Sequence, residues 1–464
     1  MPDQSGPPDS VGILVPSGML GAGFRPGTIT RGISLGADVI AVDGGSTDSG
    51  PYYLGAGVAK TTEGAVRRDL RLLLAAASSA GIPLVVGSCG TSGTDSGVNW
   101  VAGIVNEICA GDGLDLAVAK IFSEQQAGQL LAKLGRGRIH ALPPSEPLDA
   151  ATLTRCVHIV GMMGHEPIAA AIEQGAQVVL AGRASDTALF STVPLMMGVG
   201  AGPTWHAAKI LECGTACVVQ RKRPDSIMAW IREDHFDVEP MDMDVHCTPQ
   251  SVASHTLYEN ADPFLITEPD GTIDSHGARY EGLNDRAVRV HGSRFHHAER
   301  GTIKLEGAEF AGYQAIIIGG VREPFIIRQL DSWLEGMQGK FAARVQELFD
   351  GRLGPDDYDI HVRVYGRDGV MGKLEPLAHQ VGHEVCLLFT ITSAEESSTD
   401  AIAKTFAHFA LHYPIPEWRG LISGIAFPMA PSHVNRGPVY RFNLNHVVVP
   451  DDPLEMFQTE FMEV

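Results

Sequence analysis

The sequence contains no CxxC pair, and its seven cysteines (Cys89, Cys109, Cys156, Cys213, Cys217, Cys247 and Cys386) are odd in number and scattered. That spacing argues against a disulfide framework or a zinc ribbon, and the thiols read as reduced. Basic residues are scarce: 35 Lys and Arg stand against 55 Asp and Glu, for a net charge of -20. Nucleic-acid binding needs clustered Lys and Arg, so no nucleic-acid partner is expected. Long apolar runs are missing too, since the longest, IPLVVG and AIIIGG, have the length of strands. A bilayer span needs roughly 20 apolar residues, so no membrane partner is expected. The opening MPDQSGPPDSVG has no basic stretch leading into an apolar run. Residues 1–10 are therefore expected to be a disordered leader of a cytoplasmic protein, neither signal nor transit peptide. HExxH and GxxxxGK[ST] are absent, and LGAGF at 20–24 fits a phosphate loop poorly. These absences leave little support for zinc proteolysis or a dinucleotide cofactor. The adjacent His296 and His297 do not by themselves define a metal site.

What is present is a packed chain, 44% hydrophobic and 19% charged, whose 464 residues suit two domains. From Val11 to about Cys217, short apolar runs alternate with amphipathic stretches. The runs VGILVP, ADVIAVD, IPLVVGS, LDLAVAKI, VHIVG and AQVVLAG predict strands, with helices over 63–80, 96–109, 124–134 and 166–174. Serial βα units of this kind predict an α/β domain over 11–220 with a mainly parallel, doubly wound (Rossmann-like) sheet, a βα barrel being the alternative. Strands without alternation imply burial on both faces. After residue 220 mixed strand runs and two helices, 325–349 and 399–411, predict an α+β domain over 221–464. The segment from Pro450 has no clear pattern and is expected to pack against a neighbouring domain or subunit.

Three loops after predicted strands carry related polar series. The first, VDGGSTDSGPYYLG, holds Asp43, Ser46, Thr47, Asp48 and Ser49; the second, GSCGTSGTDSG, holds Cys89, Gly90, Thr91, Thr94, Asp95 and Ser96; the third, GRASDT, holds Arg183, Ser185 and Asp186. Open α/β sheets bind ligands at the carboxyl ends of their strands, where helix N-termini favour anions. The competing reading is that Asp95, Asp186 and their Ser/Thr neighbours only cap helices. Grouped aspartates can share a divalent cation such as Mg2+ or raise one another's pKa for acid–base work. On this reading Asp48, Asp95 and Asp186 are the central catalytic candidates, with His165 a proton shuttle and Lys120 an anion holder or base. Substrate contacts are assigned to Ser46, Thr47, Ser49, Gly90, Thr91, Thr94, Ser96, Arg183 and Ser185, with Arg183 the best match to a carboxylate. Cys89 is a reserve nucleophile, and Glu166 either joins His165 or starts a helix. WHAAKILECGTACV at 205–218 places His206, Lys209 and Cys213 on one helical face and reads mainly as packing. Tyr258, Glu259, Asn260, Tyr280 and Asp285 either complete a site across a cleft or belong to surface turns.

The ordered segments DGGSTDSGPYYLG, GTSGTDSG, GRASD, ECG at 212–214, ARYEGLNDR and VRVYGRDG together resemble the acyclic terpene utilisation (AtuA) family, from about residue 11 to 380. The late segment SHVNRGPVYRFNLNHVVV has no match to it. The resemblance implies a catabolic enzyme linked to branched terpenoid acids, a homo-oligomer in which a small separate protein subunit can take part. Combined with the polar loops, it suggests a lyase, a hydratase or dehydratase of a small carboxylate or its acyl derivative. The alternatives are a metal-dependent hydrolase with Asp43, Asp48, Asp95 and Asp186 as ligands, and a non-catalytic subunit or ligand-binding module.

Overall fold

The computed structural model describes residues 8–415 and 423–464. Two compact units divide the chain: residues 1–309 with 442–464, and residues 310–441. In the first unit, strands β1 (Val11–Val15), β2 (Val39–Asp43), β3 (Leu84–Gly87), β4 (Ala117–Phe122), β5 (Ile139–Ala141), β6 (Cys156–Met162) and β7 (Val178–Ala181) alternate with helices. The helices are α1 (Pro26–Ser34), α2 (Pro51–Ala56), α3 (Glu63–Ala80), α4 (Asp95–Asp112), α5 (Ala127–Gly135), α6 (Ala150–Arg155), α7 (Glu166–Glu173), α8 (Asp186–Met196) and α9 (Ala201–Leu211). Five strands pair in parallel in the order β1-β2-β3-β7-β4.

Both faces of this sheet are covered, which explains the uninterrupted apolar runs. Ile13, Val39, Ala41, Val85, Ile121 and Val179 join one buried cluster with α7, α8 and α9. Their neighbours Leu14, Ile40, Val42, Val86, Val118 and Leu180 join the other with α3 and α4. Each fully buried Val, Leu or Ile contributes roughly 1.5–3 kcal/mol, so the period-two alternation fixes the register of every strand. The sheet is open, and the doubly wound arrangement holds; among the described residues no barrel closes.

The texture change near residue 220 marks a change of pairing within this same sheet. Ile227–Ile231 pairs antiparallel with β1, His235–Pro240 follows it, and Val288–His291 and Arg279–Gly282 extend the edge. The compact division accordingly falls at residue 310, well beyond 220. At the opposite edge the patternless tail supplies a strand, Gln458–Glu463, antiparallel to β4.

The second unit sets Tyr358–Tyr365 and Val385–Ser393 beside the later part of Ile303–Val321. Leu330–Leu348 and Glu396–Leu411 supply its helical face around Trp333, Phe341, Phe389 and Phe406. The predicted helix over 325–349 is two helices, because Gln329 leaves helical geometry at φ -125° and ψ 31°. No helix among the described residues is long and apolar enough to cross a membrane. Residues 1–7 of the expected leader lie outside the described residues.

Candidate active site

The loops at the carboxyl edge of the parallel sheet lock into one another. The Gly44 amide donates to the Gly87 carbonyl at 2.7 Å, joining the loops after β2 and β3. The Ser123 hydroxyl, after β4, accepts from the Arg183 amide and donates to the Gly93 carbonyl, each at 2.7 Å. Gly93 has φ +69°, and a Cβ there would lie 2.0 Å from the Arg183 nitrogen. Gly93→Ala therefore meets backbone that cannot yield, as well as a left-handed conformation that costs roughly 1–2 kcal/mol. We expect it to lower the thermal midpoint by several degrees and to yield poorly folded protein at 37 °C, read by circular dichroism on heating; an unchanged midpoint refutes this close approach.

Arg183 is the hub of the edge, 3% exposed. Its Nε donates to Glu306 at 2.9 Å, and its Nη1 to Asp186 at 3.0 Å, Ser88 at 3.2 Å and the Ala184 carbonyl at 2.8 Å. Glu306 also accepts from Thr47 at 3.0 Å and Lys304 at 2.8 Å. Burial opposes its charge, yet Arg183 and Lys304 pull its carboxyl down to about 2. Asp43, at the end of β2, goes the other way: burial and the Asp186 charge hold it well above the usual carboxylate range. Its Oδ1 is buried without a hydrogen-bond partner.

A second set of acids surrounds the same aspartate. Glu268 accepts from Thr187 at 2.5 Å and from Ser185 at 3.1 Å, and burial lifts its carboxyl to about 7 despite those bonds. Glu212, at the end of α9, pairs with Lys209. Burial outweighs that contact and, with the nearby Asp186 charge adding to it, pushes the Glu212 carboxyl up to about 8. Asp43, Glu212 and Glu268 all respond to Asp186, whose own side chain is 32% exposed. Burial thus pushes three acids up around one accessible carboxylate, an arrangement able to pass protons. Tyr258 stands nearby, its ring 6.0 Å from the Lys209 ammonium.

The residues singled out from sequence fall into separate neighbourhoods. Asp48 is exposed, and its amide donates to Ser46 at 3.0 Å in a short helical turn, Thr47–Ser49. Asp95 is half-buried with Glu124, whose amide donates to Asp95 at 3.3 Å while the Asp95 amide donates back at 2.9 Å. Glu124 in turn holds His158, and that bond raises the imidazole pKa. Lys120 does not reach the rim, because it pairs with Glu460 at 2.9 Å on the edge strand and with Asn99 at 3.2 Å. Arg183 is a buried structural centre, with its charge committed to Glu306 and Asp186.

Most of the loop hydroxyls tie backbone. Thr94 caps α4 by accepting from the Gly97 amide at 3.2 Å, so the capping residue is Thr94 and Asp95 opens the helix. Ser96 donates to the Gly57 carbonyl at 3.0 Å, Thr91 accepts from the Lys60 amide at 2.8 Å, and Ser49 accepts from the Lys60 ammonium at 3.3 Å. Gly90 packs where a Cβ would lie 2.4 Å from Gly97 Cα. Cys89 is fully buried, and burial followed by the Asp43 charge pushes its thiol up, which removes it as a thiolate nucleophile. Asp43, Asp48, Asp95 and Asp186 do not assemble a metal-ligand set; among the described residues that geometry belongs to His165, Glu166 and Asp270. His206 is packed as expected, fully buried between Ser293 at 2.6 Å and Thr256 at 3.0 Å.

Glu124, His158, Glu268, Asp270 and Glu306 were not signalled as site residues by the local patterns. The only trace of Glu306 in sequence is a carboxylate inside the strand run TIKLEGA, and Glu212 similarly closes the apolar run AKIL. The family model described as acyclic terpene utilisation family protein AtuA matches residues 60–218 and 239–417, a span that includes Asp95, Arg183, Asp186, Glu212, Glu268 and Glu306. No curated protein and no solved structure matches the chain.

Proposed function

The chain belongs to the acyclic terpene utilisation (AtuA) family, which places it in acyclic terpene catabolism, and from that premise we propose that it is a lyase, a hydratase or dehydratase of a branched small carboxylate or its acyl derivative. The observation that carries the reading is Glu212, a buried carboxyl paired with Lys209 whose burial, with the Asp186 charge adding to it, pushes it up to about 8. In the dehydration direction Asp186 takes the proton from the carbon next to the carbonyl. Glu212 delivers its proton to the departing hydroxyl, which leaves as water while the carbon–carbon double bond forms. In hydration the two exchange roles. Arg183 is a positioning residue: its 3.0 Å bond fixes the Asp186 carboxylate. Each positioned acid or base contributes about 10²–10⁴-fold.

The test is isotopic and does not require the exact substrate. The full chain is incubated in D2O with branched 3-hydroxy acids, their α,β-unsaturated counterparts and the corresponding acyl thioesters. We expect solvent deuterium at the carbon next to the carbonyl in at least one pair, with interconversion of hydroxy and unsaturated forms. Absence of exchange and interconversion across that panel overturns the proposal.

A further inference from the structure

We propose that His165, Glu166 and Asp270 form a binding site for one divalent transition-metal ion of the Mn2+ or Zn2+ class, open on one side to a cavity that admits an anionic ligand. One ligand atom from each residue lies within 4.8 Å of the others. His165 Nδ1 is 2.7 Å from Asp270 Oδ2 and 3.6 Å from Glu166 Oε2. Metal–ligand bonds of about 2.0–2.2 Å place tetrahedral ligand atoms roughly 3.4 Å apart, so the His165–Asp270 pair has only to open by about 0.7 Å.

Three features of the site favour an ion. Two carboxylates converge on one imidazole nitrogen although they repel each other, and a cation between them removes the repulsion. Gly164 provides the room: a Cβ there would lie 2.6 Å from Glu166 Oε2 and 3.4 Å from Asp270 Oδ1, displacing both from their common point. The imidazole is braced from behind, edge-on to Trp205 with centroids 6.0 Å apart, and Trp205 stacks on Phe295 at 5.0 Å. This packing fixes the orientation of the ring.

The ligands come from distant parts of the chain. His165 and Glu166 stand at the start of α7, and Asp270 lies in the turn between Leu265–Glu268 and Gly271–Asp274. A mixed nitrogen and oxygen set suits Mn2+ or Zn2+ better than Mg2+ or Ca2+, which take oxygen ligands. Three protein ligands leave at least one coordination position open, the pattern of sites that bind water or substrate. All three residues line a cavity of about 490 Å³ that Arg138, His297, Arg300, Thr302 and Asp451 also line. Arg138 is paired with Asp451, which lines the same cavity, so it is Arg300 beside the cation that suits a carboxylate or phosphate oxygen bridging to the ion.

The inference stands apart from the acid–base reading and is tested by binding. The chelator-treated full chain is titrated with Mn2+, Zn2+ and Mg2+ in a calorimeter. We expect one Mn2+ or Zn2+ per chain, with Mg2+ at least tenfold weaker. Glu166→Gln and Asp270→Asn should each weaken binding tenfold or more while leaving the far-ultraviolet circular dichroism spectrum intact. Asp186→Asn, which removes the proposed base, should leave it unchanged. His165→Asn covers the case in which one carboxylate variant fails to fold. No stoichiometric Mn2+ or Zn2+ binding, or binding indifferent to the folded variants, overturns the site.

Discussion

Replacing Glu212 by Gln is expected to cut turnover by about 10²–10⁴-fold, the range lost when a positioned general acid is removed. Gln keeps the size and neutrality of the protonated side chain, so the loss should appear in kcat with KM little changed. The pH profile provides the second readout. Wild-type dehydration should fall as pH rises past about 8, where Glu212 loses its proton, and this limb should vanish in the variant. Stability has a definite sign as well. The folded carboxyl is raised from 4.5 to about 8, so between these values the folded chain holds a proton that the unfolded chain has released. Stability contributed by this group is complete below pH 4.5, declines through the window and levels off above 8. Glu212→Gln should flatten that decline in urea titrations taken at several pH values. A variant with wild-type turnover and the wild-type alkaline limb refutes the general-acid role.

The architecture was legible in sequence where one physical cause dominated. Runs such as VGILVP and AQVVLAG predict strands because burial on both faces leaves no position for a polar residue. The texture change near residue 220 has a different cause from a domain boundary: Ile227–Ile231 turns antiparallel within the sheet that β1 begins. Local composition does not tell a new partner direction from a new domain. The site was readable to one shell. The polar loops do sit at the carboxyl edge, yet a one-residue difference decides that Thr94 caps α4 while Asp95 meets Glu124. Arg183 looks like an anion holder in GRASD, and only folding supplies Glu306, 123 residues away, as its partner. The protonation of Glu212 likewise depends on burial and on Asp186, neither of which is written in ECG.

The same dependence on distant partners makes Arg183 the most costly residue of the edge to remove. Arg183→Ala leaves Glu306 buried with only Lys304 as counter-charge and leaves Asp43 and Asp186 facing each other without the guanidinium. Breaking a buried pair by deleting one member costs about 3–5 kcal/mol, because the surviving charge stays desolvated. With urea slopes of about 1–3 kcal/mol/M, the unfolding midpoint of the first unit should drop by roughly 1 M or more. Arg183→Lys should recover only part of this, since an ammonium cannot reproduce the fork that reaches Glu306 and Asp186 together. Acid supplies the discriminating measurement. Glu306 is depressed from 4.5 to about 2, so the stability it contributes is present above 4.5 and is lost as pH falls through about 2. The difference between wild type and Arg183→Ala should therefore be largest near neutrality and shrink steadily below pH 4.5. A difference under about 1 kcal/mol at pH 7, or one that persists undiminished at pH 2, contradicts the buried pair as the source of the stability.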